Sequence, residues 1–319
     1  MAGKFIISLD FELFWGVSES KTIDNYGDNI YNTHGVIIEM LKLFKKYNIE
    51  ATWATVGFLF FKDIKDLDDF ITNNKIQKIN YKNDSLNNFS LLSKVSGLDK
   101  RYLFAFDLIH KIIESDGQEL ASHTFSHLYT LENGVTLNDI QTDINVMVKL
   151  FEQFGLSLDS IVFPRNQYSK EILNIISNTT IKSFRGNQNS YLYKPSLNQN
   201  LLKRVLRLLD SYVNITGYNP SIIKQQKNIL NIPASRFLRP YNHKLKILEK
   251  LRLNRIKKEM TNSAKKGSNY HLWWHPHNFG SYSIKNFSFL EEILKHQKQL
   301  ELQYDFKSVN MRNIYKYYS

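Results

Sequence analysis

Short apolar runs of strand character alternate along the chain with longer stretches whose apolar residues recur at helical spacing. Phe5 to Leu9, Ala51 to Val56, Glu119 to Ser122, Ile161 to Phe163, Ile181 to Phe184, Ile229 to Ile232 and His271 to Trp274 are predicted strands, with a last one expected around Asp305 to Val309. Between them, His34 to Tyr47 carries Val36, Ile37, Met40, Leu41 and Phe44 on one helical face, and Leu137 to Phe154 does the same with Ile140, Ile144, Met147, Val148 and Phe151. Tyr102 to Ile113, Lys170 to Ser177 and Phe287 to Leu300 are further predicted helices. This alternation predicts parallel β/α units closing into a barrel. An open doubly wound sheet is the competing architecture, but no glycine-rich phosphate loop follows the first strand.

Residues 1–319 are expected to form a single domain. Two segments, near 72–100 and 187–225, interrupt the alternation and read as insertions covering one end of the barrel. No internal repeat and no interdomain linker is evident.

Hydrophobic residues make up 42% and charged residues 23%, an ordinary composition for a soluble protein. The absence of cysteine excludes disulfides and thiolate ligands, so a metal site must be built from His, Asp or Glu. The N-terminal apolar stretch is short and broken by Asp10 and Glu12, and no apolar run is long enough to span a membrane. A cytoplasmic location is expected, with peripheral contact at the inner membrane face as a further option. Net charge is +12. The segment from His243 to Lys266 concentrates Lys244, Lys246, Lys250, Arg252, Arg255, Lys257, Lys258, Lys265 and Lys266 around a rough apolar stripe. It reads either as a barrel-flanking helix with a solvated basic face or as a surface attracted to anionic lipid or a lipid-linked sugar. No nucleic-acid-binding module is present, and aromatic residues do not interleave with this charge, so specific nucleic-acid binding is not expected. Oligomeric state is not readable.

Candidate chemistry clusters just after the predicted strands. Asp10 and Glu12 follow the first, His123 and His127 the third, Arg165 the fourth, Arg185 the next, Ser235 and Arg236 another, and His275 and His277 the seventh. In a β/α barrel the carboxyl ends of the strands meet at one face, so these residues converge. Asp10 and Glu12, two apart, share one face of an extended strand. His123 and His127, four apart, could face one metal if their segment is helical, and Glu12 would complete a two-histidine, one-carboxylate set. His275 is a candidate general acid or a satisfied core histidine. Trp273 and Trp274 could stack on a sugar, with core packing expected for at least one.

These residues resemble the polysaccharide deacetylases of the NodB-homology, carbohydrate esterase family four type, over nearly the whole chain. Ser8-Leu-Asp10-Phe-Glu12 is similar to the family's acidic first motif, in a branch that spaces the two acids by one residue. Gly117 to His127 resembles its metal-histidine motif, and Arg165-Asn-Gln-Tyr168 its Arg-Pro-Pro-Tyr segment with both prolines replaced. Ala51 to Gly57 looks like its second strand, and His275 like the acid of its closing motif. The resemblance implies a distorted seven- or eight-stranded barrel and N-deacetylation of an acetylated sugar. It implies Asp10 as base, Glu12, His123 and His127 as ligands, Arg165 holding Asp10, the Tyr168 backbone N–H as oxyanion donor and His275 as acid. Glu12 stands where the family usually has Asp and lengthens that ligand arm. The implied metal is Zn²⁺, with Co²⁺, Ni²⁺ or Fe²⁺ as substitutes. Trp15, Arg185, Arg236, Trp274, His277 and Asn278 are the candidate substrate-binding residues. A nucleotide- or lipid-linked precursor of a bacterial surface polysaccharide is the expected substrate. The competing readings are another metal-dependent amide hydrolase on the same barrel and a catalytically silent carbohydrate- or lipid-binding protein.

Overall fold

A computed structural model of the chain describes residues 2–193 and 201–318. Among the described residues nine strands form one sheet: β1 (Phe5–Phe11), β2 (Ala51–Thr55), β3 (Gln118–Ser122), β4 (Ser160–Ile161), β5 (Ser183–Gly186), β6 (Lys224–Gln226), β7 (Ile229–Pro233), β8 (Arg236–Phe237) and β9 (Tyr270–Trp274). Their order is β6-β7-β5-β4-β3-β2-β1-β9-β8, so the sheet has nine strands rather than the seven or eight expected. All neighbours pair in parallel except β6, which adds an antiparallel edge to β7. The two ends of the order are brought together by the chain itself. Ala234 N–H donates to Gly186 O on β5 and Ser235 N–H to His271 O on β9, so the step from β7 to β8 curls the sheet toward closure. The tail expected to hold a last strand makes one isolated bridge, Phe5 to Ser308.

Ten α-helices among the described residues accompany the strands: α1 (Ile23–Lys46), α2 (Ile64–Asn73), α3 (Asn88–Val95), α4 (Phe106–Ile113), α5 (Leu137–Gln153), α6 (Lys170–Ile176), α7 (Leu201–Asp210), α8 (Glu249–Lys265), α9 (Ser283–Tyr304) and α10 (Met311–Ile314). The first starts well before the predicted His34. A Thr22–Asn25 capping box sets its true start, ahead of a Gly- and Asn-rich turn whose weak helix propensity hid it. The 72–100 insertion contains α3, and the described part of 187–225 contains α7 and the start of β6.

Two apolar layers follow from the two-residue alternation of the strands. One side of β1 presents Leu9 and Phe11 to the helices, where Phe11 meets Trp53, and Trp53 meets Phe44 of α1. The other side presents Ile6, Ser8 and Asp10. Ile6 joins Ala54, Val162, Leu230 and Ile232 in a separate apolar cluster, closed from below by Val309, Met311 and Ile314. Along β1 the enclosed face therefore passes from apolar to polar toward its carboxyl end. That end is where the site forms.

Candidate active site and metal centre

Glu12 follows β1 and is the N-cap residue of a short 3₁₀ turn, Leu13–Gly16. Its carboxylate folds back over Gly16 so closely that a Cβ there would lie 2.0 Å from Glu12 Cδ. The carboxylate is buried and surrounded by imidazoles. His127 Nε2 lies 3.1 Å and His123 Nε2 3.4 Å from Oε2, while His277 Nε2 lies 3.1 Å and His275 Nε2 3.6 Å from Oε1. Burial opposes the charge of Glu12, yet the four histidines hold its carboxyl well below the usual range.

The hydrogen bonds on the far side of these rings set their tautomers. His123 Nδ1 lies 2.7 Å from Val162 O, which can only accept, so Nδ1 carries a proton and the neutral ring turns a bare Nε2 toward Glu12. Tyr26 donates its hydroxyl to Asn278 Oδ1 at 3.0 Å and meets His277 Nδ1 at 2.9 Å. Its oxygen then accepts from His277 Nδ1–H, so the neutral His277 ring likewise turns a bare Nε2 toward Glu12. Bare nitrogens aimed at a buried carboxylate repel it unless a cation lies between them. The donor set of two or more imidazoles and one carboxylate is that of a hydrolytic zinc site, so these residues fit a divalent metal. Glu12 groups with His123 and His127, and again with His275 and His277.

The segment from His123 to His127 is a loop, not the helix its spacing suggested. Thr124 and His127 both adopt left-handed backbone conformations, with φ of 64° and 58°. Asp143 of α5 secures the loop by accepting from Phe125 N–H at 2.7 Å, Ser126 N–H at 3.1 Å and Ser126 Oγ–H at 2.8 Å. Strained backbone is thus held by a buried carboxylate where two side chains must converge.

Asp10 is also buried, two residues before Glu12. Arg185 grips it bidentately, Nη1 to Oδ1 at 2.6 Å and Nη2 to Oδ2 at 2.8 Å. Burial works against the charge of Asp10, and Arg185, His123 and His275 more than offset it, so its carboxyl lies below the usual range. Arg185 is itself fixed. Nη1 donates to Ser8 Oγ at 3.1 Å, Nε donates to Asn166 Oδ1 at 3.1 Å, and the guanidinium lies 4.1 Å from the centre of Trp273. Ser8 Oγ meets His271 Nε2 at 2.8 Å, and burial together with the Arg185 charge pushes the His271 pKa down to about 3. His271 is therefore a neutral prop under the ion pair.

Several expectations are corrected. Arg165 does not hold Asp10. Arg165 and Asn166 both turn through positive φ, and Arg165 is aimed at the rim, pairing with Glu19 and, at 3.0 Å, with Glu132. Arg185, expected to bind substrate, takes the place beside Asp10. Arg236 lies in a buried cluster with Glu259 and Asp210 rather than lining the site. Two residues of the expected basic face, Arg252 and Arg255, are buried in ion pairs too. Trp15 is a core residue whose indole donates to Leu103 O and packs edge-on against Phe58. Trp274 faces the helices, between Phe44 and Phe279. Trp273 is the half-buried tryptophan on the site's face, 5.6 Å from His275 and 4.7 Å from Phe237. His277 and Asn278, expected to touch substrate, serve Glu12 directly and through Tyr26. His275 keeps 23% of its side-chain surface and reaches Asp10 Oδ2 at 3.7 Å. The Tyr168 ring packs against Phe184.

No family model and no curated protein sequence matches the chain. Solved structures do. A polysaccharide deacetylase from Mycobacterium smegmatis, so described only provisionally, aligns with 99% of this chain and 90% of its own, with a TM-score of 0.63 at 10% identity. The α-amylase AmyC from Thermotoga maritima aligns with 99% of this chain and 75% of its own, TM-score 0.59, 10% identity. A branching enzyme from the archaeon Pyrococcus horikoshii covers 100% of this chain and 71% of its own, TM-score 0.56, 10% identity. At such identities the likeness is one of fold. The chain has the polysaccharide deacetylase fold, a curled β/α architecture shared with glucan-processing enzymes. Its chemistry rests on the site.

Proposed function

We propose that this protein is a metal-dependent hydrolase that removes the acetyl group from an N-acetylated sugar. The observation that carries the reading is the pairing of two differently used acids at one barrel mouth. Glu12 is ringed by four imidazoles, and Asp10, beside it, is kept ionised by Arg185. Glu12, His123 and His127 would hold the cation, with His277 on the other carboxylate oxygen. When bound, such an ion, Zn²⁺ in the first instance, supplies Lewis acidity and a water of lowered pKa.

Asp10 takes the proton released as water adds to the acetamide carbon. Arg185 keeps Asp10 charged and fixed, so its lone pair is ready without reorganisation. The Tyr168 backbone N–H is the candidate donor to the developing oxyanion. His275, within reach of Asp10 and open to solvent, delivers a proton to the leaving nitrogen. The C–N bond breaks to give acetate and a free amino sugar. Phe237 and Trp273 offer an aromatic surface for the sugar ring beside His275.

The same fold in glucan-processing enzymes raises the alternative of glycosidic cleavage. That chemistry needs two carboxyl groups free to act as acid and as base or nucleophile. Here Glu12 is walled in by histidines and only Asp10 is left to act, so the site offers no pair of working carboxyl groups, which favours amide hydrolysis. A nucleotide- or lipid-linked precursor of a surface polysaccharide is the substrate class we favour.

Asp10→Asn tests the assignment. It keeps the ligands and should retain metal, while acetate release from N-acetylated sugars falls by about 10²–10⁴-fold. Wild-type turnover in that variant would remove Asp10 as the base.

A further inference from the structure

The donors around the Glu12 carboxylate outnumber what one ion can use. His123 and His127 turn Nε2 toward its Oε2 at 3.4 and 3.1 Å, and His275 and His277 turn Nε2 toward its Oε1 at 3.6 and 3.1 Å. Four nitrogens and two oxygens make six donor atoms, whereas Zn²⁺ takes about four, sometimes five. The donors also divide into two sets. Two ligands about 2.0–2.1 Å from a tetrahedral ion stand about 3.3 Å apart. Each carboxylate oxygen keeps a spacing of that order to its own pair of imidazoles. Glu12, His123 and His127 form one group whose ligand atoms all lie within 4.8 Å of one another, and Glu12, His275 and His277 form a second.

The second group is built like the first. In each, one histidine is fixed from behind: His123 Nδ1 by Val162 O at 2.7 Å, and His277 Nδ1 by the Tyr26 hydroxyl at 2.9 Å. In each, the two imidazole centres stand 5.1 Å apart. The groups differ in access. The side chains of Glu12, His123 and His127 are at most 4% exposed, whereas that of His275 is 23% exposed. The second group is therefore the one that opens to solvent.

We propose that Glu12 Oε1, His275 and His277 form a second divalent-cation site, filled only at excess metal, and that its occupation stops catalysis by tying up His275 Nε2. The inhibition rests on the deacetylase reading, in which His275 delivers a proton to the leaving nitrogen, while the site itself rests on the donor set alone. Two cations sharing one carboxylate stand about 3.5–4 Å apart. The second enters against the charge of the first, so it binds more weakly, and gel filtration removes it while leaving the first in place. An imidazole nitrogen bound to a cation has no lone pair left to carry a proton, so the acid is lost although the first ion and Asp10 are untouched.

The test titrates Zn²⁺ into the full-length chain already loaded with its first ion. Bound metal is counted by equilibrium dialysis and elemental analysis. Acetate release from N-acetylglucosamine and its uridine-diphospho derivative is followed at the same free Zn²⁺. A second ion should bind in excess Zn²⁺ while acetate release falls by at least about tenfold, part of the 10²–10⁴-fold that a positioned acid contributes. His275→Gln and His277→Gln should each lose the second ion and keep the first, with circular dichroism checking the fold. The acetate release that remains in His277→Gln should no longer fall in excess Zn²⁺. Binding that saturates at one ion in the wild type, or a second ion undiminished in either variant, overturns the site. A second ion that leaves wild-type acetate release unchanged overturns the inhibition. Absence of acetate release at every Zn²⁺ level, with the second ion bound by the wild type and lost in both variants, refutes the deacetylase reading and upholds the site.

Discussion

Replacing Arg185 with methionine removes the partner of a buried carboxylate and leaves the surrounding apolar volume filled. Asp10 and Arg185 are 3% and 1% exposed, and the pair is closed by two hydrogen bonds of 2.6 and 2.8 Å. Breaking such a pair from one side costs about 3–5 kcal/mol, because the remaining charge stays buried. For 319 residues the unfolding entropy is about 0.7 kcal/mol/K, so the expected fall in Tm is about 4–7 °C. Arg165→Met is the matched control. Its two pairs involve a side chain 42% exposed, and each is worth at most about 1 kcal/mol, so the expected fall is no more than about 3 °C. Both variants are melted by circular dichroism after chelation, so that metal linkage does not enter, and their acetate release is compared after reloading. Arg185→Met should also lose most turnover, since Asp10 would no longer be kept ionised and oriented. Equal melting of the two variants, or a larger effect from Arg165→Met on both readouts, would refute the assignment of Arg185 to Asp10.

Two further outcomes follow from the same geometry. Gly16→Ala places a Cβ 2.0 Å from Glu12 Cδ and should push the carboxylate out of its ring of imidazoles, weakening Zn²⁺ affinity by about 10–100-fold in a chelator competition; unchanged affinity would show that the carboxylate is not held there. His271, with its pKa lowered to about 3, stays neutral when folded but takes a proton near pH 6.5 when unfolded. The unfolded state therefore binds more protons below pH 6.5, and this group removes about 2 kcal/mol of stability between pH 6.5 and pH 5. His271→Gln should flatten urea-measured stability over that window by the same amount, and an unaltered slope would count against a neutral, buried His271.

The convergence of Asp10, Glu12, His123, His127 and His275 was legible because each follows a predicted strand and parallel β/α units bring strand ends together. The parity of the tryptophans was misread, with Trp274 rather than Trp273 expected at the substrate. His275 on the site's face requires Trp273 on that face and Trp274 on the other. What could not be read was the direction of turns. Arg165 and Arg185 both follow strands, and only the positive φ of Arg165 and Asn166 sends the first to the rim. Tyr26 gave no signal, since its bond to His277 spans 251 residues and depends on how α1 packs. The basic segment was half legible: the spacings Glu249–Arg252 and Arg255–Glu259 are those of helical ion pairs, but their burial comes from Asp210 and Arg236 on other elements.

The central claim is that Glu12 and its histidines form a metal centre. Elemental analysis of the purified chain, beside a His123→Ala/His127→Ala variant and after incubation with Zn²⁺, Co²⁺ or Ni²⁺, tests it most directly. The expected result is about one divalent ion per chain, lost in the variant while the fold is retained, consistent with one open hydrolytic site. No bound ion in the wild type under any of these conditions would contradict the claim and the hydrolytic mechanism with it.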